Sequence, residues 1–262
     1  MSTLTRLRVS GADHSAAGRV TLFPTLDRTG SPAALIMTPG LKKTVNEDAG
    51  GWDRTERRGF YAVADAHFGG EAAVLAVELC LARLSARLVR KDHFEPDRFR
   101  GAFAESLVAI EARIRRDTGE GGSETTLLVL AAGWGRLFWG SFGDSRLYVA
   151  AQSGRRQVNR TSPDYLCGAA RSAEILSREM ICGDLRSIRT GPHGPGRLML
   201  CTDGVPLSAA PHDRNEWNPQ AIGEILSIAP DASAAAANLA AAALRRGGAD
   251  NICAIVLDAP SA

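Results

Sequence analysis

The chain has 262 residues, of which 45% are hydrophobic and 23% charged, with 31 basic and 29 acidic side chains interspersed to a net charge of +2. That balance fits an ordinary globular protein of one large or two small domains, and it excludes both a basic nucleic-acid-binding block and an acidic disordered arm. Cys80, Cys167, Cys182, Cys201 and Cys253 stand far apart with no Cys-x-x-Cys pair, which argues against a zinc knot or disulfide framework and fits a reducing, cytoplasmic setting.

Residues 1–30 mix glycine, proline, serine and charges without a period, and lack the apolar core of a signal peptide. They are expected to be a partly ordered lead-in to a single domain over 31–262. A β region is predicted at Ala33 to Met37, followed by polar residues up to Asn46-Glu47-Asp48, and a second apolar strand, Phe60 to Ala64, ends at Asp65. Two helices follow. Val74, Val77, Leu81, Leu84 and Leu88 recur at spacings of three and four, as do Phe99, Phe103, Leu107, Ile110 and Ile114. Gly119, Gly121 and Gly122 stop the second helix.

Thr125 to Ala131, Leu137 to Phe142 and Arg146 to Ala151 read as strands, with Gly143-Asp144-Ser145 as a hairpin turn between the last two. Residues 152–196 are irregular, with a short helix expected around Ala173 to Arg178. A buried strand, Leu198 to Cys201, runs into Thr202-Asp203-Gly204, two helical patterns occupy 218–228 and 232–246, and Ile252 to Leu257 is the last strand. The alanine-rich stretch 232–244, interrupted by Ser233 and Asn238, is too short and weakly hydrophobic to cross a bilayer. This order points to an α+β fold with sheets covered by helices.

Asp65 and Asp203 each follow an apolar strand, Asp250 precedes one, and Glu47-Asp48 closes a polar stretch leading into another. Carboxylates converging at one sheet edge raise one another's pKa unless a cation lies between them, and oxygen-only ligands select hard divalent ions. Each piece also has a plain alternative: Asp203-Gly204 is a common turn, Asp250-Asn251 a possible cap, and His67 an ordinary satisfied histidine.

Five blocks in order resemble the metal-dependent protein phosphatases of type 2C. They are Val45-Asn46-Glu47-Asp48-Ala49, Val63 through Gly70, Trp139 through Tyr148, Leu200-Cys201-Thr202-Asp203-Gly204 and Gly248 through Ile252. The resemblance spans residues 33 to 258. It implies a four-layer α-β-β-α sandwich with a metal site at one edge of the central β-sandwich, holding two divalent cations, Mn or Mg. By the same resemblance Asp65 bridges the ions, Glu47 and the Ala66 carbonyl complete one shell, and Asp203 and Asp250 the other. Asp48 holds a water, and Asp144 with Asp203 is a candidate for a weaker third ion. A bridging hydroxide would attack phosphorus directly, with His67 as general acid and Lys43 holding the phosphate. The implied function is a phosphoserine/phosphothreonine protein phosphatase in cytoplasmic signalling, acting on a phosphorylated protein and opposing a serine/threonine kinase, with no nucleic-acid or membrane partner. The alternatives are a small-molecule phosphomonoester phosphatase and a catalytically weak pseudophosphatase that serves as a binding module.

Three positions depart from the family pattern. Ala66 stands where glycine is usual and would be strained if its φ were positive. Lys43 replaces an arginine, keeping the charge but losing the bidentate fork. Phe68 adds an aromatic ring, expected to be buried against a helix, with narrowing of the site entrance or packing on a substrate ring as the alternatives.

Overall fold

The computed structural model describes residues 5–25, 32–119, 122–151, 154–159, 161, 164–169, 181–184, 196–207 and 217–258. One six-stranded antiparallel sheet has the order β1 (Thr5–Ser10), β4 (Ala49–Arg54), β5 (Arg58–Ala64), β8 (Leu127–Gly133), β9 (Arg136–Phe142), β12 (Ile181–Asp184). The other has the order β11 (Gly154–Gln157), β10 (Arg146–Ala151), β13 (Arg197–Cys201), β14 (Ile252–Asp258), β3 (Ala33–Thr38), β2 (Thr21–Pro24). A two-stranded ribbon pairs β6 (Ala66–His67) with β7 (Glu124–Thr125).

The strands read as continuous apolar runs because both faces of each sheet are covered. In β5, Phe60, Ala62 and Ala64 face the layer formed by α1 (Glu71–Arg87) and α2 (Pro96–Thr118), while Tyr61 and Val63 face the other sheet. In β14, Ile252, Ala254 and Val256 face α3 (Pro219–Ile228) and α4 (Ala232–Arg245), while Cys253, Ile255 and Leu257 fill the sandwich. The period of two thus distributes apolar side chains to two cores at once. The result is four layers, α-β-β-α.

The helices begin and end where local chemistry allows. The Asn218 side chain accepts from Gln220 N at 2.9 Å and that of Asp231 from Ala234 N at 2.7 Å, so α3 and α4 start with satisfied amides. Pro96 and Pro219 open α2 and α3, and α2 stops at Gly119, whose φ is 80°. The predicted stripes are buried except Val74, which is half-buried. No described helix is long and apolar enough to cross a membrane. The short helix expected around Ala173 to Arg178 lies outside the described residues.

Three features differ from the sequence reading. The Gly143-Asp144-Ser145 turn is not a hairpin, because β9 pairs with β8 and β12 while β10 pairs with β11 and β13. The turn carries the chain from one sheet to the other. The strand expected from Thr125 to Ala131 is broken at Thr126, so β7 leaves the main sheet and pairs with β6 instead. Edge strands β1 and β2, within the stretch that has no period, and β4, which reads Ala-Gly-Gly-Trp-Asp-Arg, carry no pattern of their own and are held by β4, β3 and β5 respectively.

Candidate active site

The carboxylates collect at one end of the sandwich. Asp65 sits between β5 and β6 and is clamped through its backbone: its N–H donates to Thr126 Oγ1 at 3.0 Å, and its carbonyl accepts from Thr126 N at 2.8 Å and Thr125 Oγ1 at 2.9 Å. Thr126 Oγ1 in turn lies 2.9 Å from Ser145 Oγ, tying Asp65 to the inter-sheet turn that carries Asp144. The break at Thr126 is what frees these groups for the clamp.

Asp203 follows β13 in a turn that requires glycine next. A Cβ on Gly204 would lie 1.7 Å from the carbonyl oxygen of Asn251, so close approach rather than backbone conformation excludes a side chain there. Asn251 is a staple. It accepts from Glu47 N at 3.0 Å and donates from Nδ2 to the carbonyls of Pro39 and Val45 at 3.2 and 2.9 Å, joining the 39–47 loop to the start of β14. Thr202 has a matching role, donating from Oγ1 to Asp48 Oδ2 at 2.9 Å while accepting from Cys253 N at 3.0 Å.

Electrostatically the cluster is short of positive charge. Burial pushes the Asp65 carboxyl well above its ordinary value, and the charges of Asp48 and Asp203 add to the effect. Asp48 is raised well above its ordinary value by burial and by the charges of Asp203 and Asp250, despite its bond from Thr202 and the charge of Lys43. Asp203 is pushed up to about 6 by burial, Asp144 and Asp250, while its hydrogen bond with Asp65 opposes the shift. Asp144 is raised by burial, partly offset by Arg146, His67 and a bond from Tyr165. Asp48 Oδ1 and Asp144 Oδ1 are buried without a hydrogen-bond partner. Such groups are costly unless a cation or water meets them.

Lys43 does face the cluster, with Nζ 2.8 Å from Asp250 Oδ1. Burial would lower its pKa, but the hydrogen bond to Asp250 and the charges of Asp250, Asp65 and Glu47 win and raise it. Glu47 Oε1 accepts from Gly69 N at 2.6 Å. With Glu47 and Asp250 turned to these donors, no three His, Cys, Asp or Glu side chains among the described residues form a ready-made cation cage. The candidate donors are nevertheless all oxygen, and Asp48, Asp65 and Asp203 are raised by burial and by neighbouring carboxylate charge, which is the chemistry a hard divalent cation relieves.

His67 lies on β6 beside Asp65. Its ring meets Tyr165 edge-on at 5.3 Å, and Nδ1 is 3.8 Å from Glu124 Oε1. Tyr165 thereby links His67 to Asp144, a connection with no trace in local sequence. Ala66 is extended and pairs with Thr125; the positive-φ non-glycine residues among those described are Phe68, at 62°, and Trp134. The strain considered for Ala66 therefore does not arise there. It falls on Phe68, where it costs roughly 1 kcal/mol. Phe68 is also 74% exposed, so the expected burial against a helix is incorrect: the chain swings its ring outward at the glycine-rich turn into α1.

A protein-family model described as protein phosphatase 2C matches residues 41–242. The chain belongs to the protein phosphatase 2C family. Comparison with curated protein sequences gives no match. Among solved structures, the serine/threonine phosphatase PstP/Ppp of Mycobacterium tuberculosis is 24% identical with a TM-score of 0.66, over 88% of this chain and 99% of that one. PppA, described as a key regulatory component of T6SS in Pseudomonas aeruginosa, is 24% identical with a TM-score of 0.64, over 88% and 98%. The catalytic domain of PstP in complex with two manganese ions is 23% identical with a TM-score of 0.64, over 92% and 99%. At these identities the likeness is one of fold.

Proposed function

We propose that this chain is a metal-dependent phosphatase that hydrolyses phosphoserine and phosphothreonine in proteins. The observation that carries the reading is the set of under-compensated carboxylates of Asp48, Asp65 and Asp203 at one end of the sandwich, in a chain of the protein phosphatase 2C family. Glu47, Asp65, the Ala66 carbonyl, Asp203 and Asp250 would hold two divalent cations, Mn or Mg, and Asp144 with Asp203 a weaker third. To hold them, Asp250 would have to release Lys43, and Glu47 the Gly69 amide. Bound there, such ions supply positive charge for the phosphoryl oxygens and a hydroxide nucleophile near neutral pH.

The remaining steps belong to the chain's own groups. Lys43, released from Asp250, binds a phosphoryl oxygen as a point charge. Asp48, fixed through Oδ2 by Thr202, presents its unpartnered Oδ1 to the attacking water. His67 delivers a proton to the leaving serine or threonine oxygen, oriented by the Tyr165 ring. Attack by water leaves no phosphoenzyme. The scattered cysteines favour a reducing, cytoplasmic setting, where an enzyme of this specificity would oppose a serine/threonine kinase in signalling.

The test is hydrolysis of phosphopeptides and of p-nitrophenyl phosphate with Mn, with Mg and with excess chelator, for the wild type and Asp65→Asn. Activity should require metal and fall at least 100-fold in the variant. Full activity in chelator would sink the reading. The engagement of Glu47 and Asp250 by protein donors favours one competing reading, a binding module without turnover. Calorimetry separates the two, since such a module would bind no Mn at millimolar concentration.

A further inference from the structure

We propose that Phe68, with Leu41, Val45 and Leu207, forms an apolar collar that selects phosphoproteins carrying bulky apolar side chains next to the phosphorylated residue. The inference rests on the phosphatase reading for what occupies the carboxylate pole. Eight large hydrophobic residues are exposed among those described, and four of them lie on the loops that carry the site. Leu41 and Val45, 50% and 51% exposed, flank Lys43 and precede Glu47. Phe68 directly follows His67, and Leu207 closes the turn begun by Asp203, its N–H donating to the Asp203 carbonyl at 2.8 Å.

These residues are anchored. Leu41 N donates to Gly248 O at 2.8 Å and the Val45 carbonyl accepts from Asn251, so both are held to the loop that carries Asp250. Phe68 is held by Gly69 N on Glu47 and by its placement between β6 and α1. Its own conformation is the informative one. An exposed ring gains nothing from burial, and a φ of 62° strains any residue but glycine. Folding alone does not explain an aromatic residue there, and strain kept at a site marks function.

The occupant follows from size and geometry. A phosphoryl group at the carboxylates leaves the adjoining residues of a peptide ~3.5 Å per residue further on, where three separate loops present apolar side chains. Leucine, isoleucine or phenylalanine beside the phosphorylated residue would cover the collar and remove its apolar surface from water.

The experiment uses two labelled phosphopeptides, identical except for leucine or glycine on both sides of phosphoserine. Binding by anisotropy and hydrolysis with Mn are measured for the wild type, Phe68→Gly, Phe68→Ala and Val45→Ser. The wild type should favour the leucine peptide about tenfold, chiefly in KM and Kd, as expected for partial burial of one aromatic ring. Phe68→Gly and Phe68→Ala should bring the ratio to roughly 1–2, and Val45→Ser to an intermediate value. Because the ratio compares two ligands on one protein, loss of folded protein does not mimic the effect. No preference in the wild type, or a preference intact in both Phe68 variants, overturns the collar. Failure of the phosphatase reading appears differently, as hydrolysis of neither peptide, and the binding ratio still decides the collar.

Discussion

In chelator at pH 7.5, Asp203→Asn should be more stable than the wild type, although it removes a residue central to the site. The Asp203 carboxyl is moved from an ordinary 3.8 up to about 6 by burial and by the charges of Asp144 and Asp250. A folded pKa above the unfolded one stabilises the protein below pH 4, and that advantage is lost as pH rises through about 6. At roughly 1.4 kcal/mol per unit, the ionised group costs at most about 3 kcal/mol at pH 7.5, less where solvent reaches it. Asparagine carries no charge and can donate to the Asp65 carboxylate. Thermal unfolding in chelator should therefore show a gain of up to about 10 °C for the variant at pH 7.5 and almost none at pH 4. Added Mn should reverse the ranking by stabilising the wild type alone. A variant less stable than the wild type in chelator, or a difference independent of pH, would refute the account of the cluster as short of positive charge.

Other outcomes follow from single contacts. Arg197 pairs with Asp258 at 2.7 Å and donates to the carbonyls of Leu226 and Ala229, all buried. Arg197→Met should cost roughly 3–5 kcal/mol in urea unfolding by stranding Asp258, with kcat of the remaining folded protein unchanged. Phe68→Gly should stabilise the chain by up to roughly 1 kcal/mol by relieving its backbone, so a lower melting temperature would argue against strain there. Gly204→Ala should lose both metal-induced stabilisation and hydrolysis, since its methyl group collides with the Asn251 carbonyl; wild-type behaviour would show that the turn can shift.

Much of the core was legible because its physics is local. The stripes at Val77, Leu81 and Leu84 and at Phe99, Phe103 and Leu107 follow helix geometry, and the runs at β3, β5, β13 and β14 follow from burial on both faces. The acidic motifs were legible as ordered blocks, with Asp65 and Asp203 just after such a run and Asp250 just before one. Strand β4 was not, because its stability is borrowed: a Cβ on Gly51 would meet the Leu7 carbonyl at 2.3 Å, and Asp53 is buried only because Arg8 and Ser85 bond it. Glycine and aspartate there look like loop until β1 and α1 are in place.

The opposite limit appears at Asp144. A strand, a Gly-Asp-Ser turn and another strand read the same whether the strands pair or part, and only their partners β8, β12, β11 and β13 send them to different sheets. Tyr165 meets His67, and Thr202 meets Asp48, across 98 and 154 positions. Residue type and short-range period were enough to pick out the apolar strands and the carboxylates that stand beside their ends. Tertiary structure alone decided which of those carboxylates lack compensation and that Phe68 points outward. Charge balance and exposure depend on what packs around a side chain, and distant parts of the chain supply it.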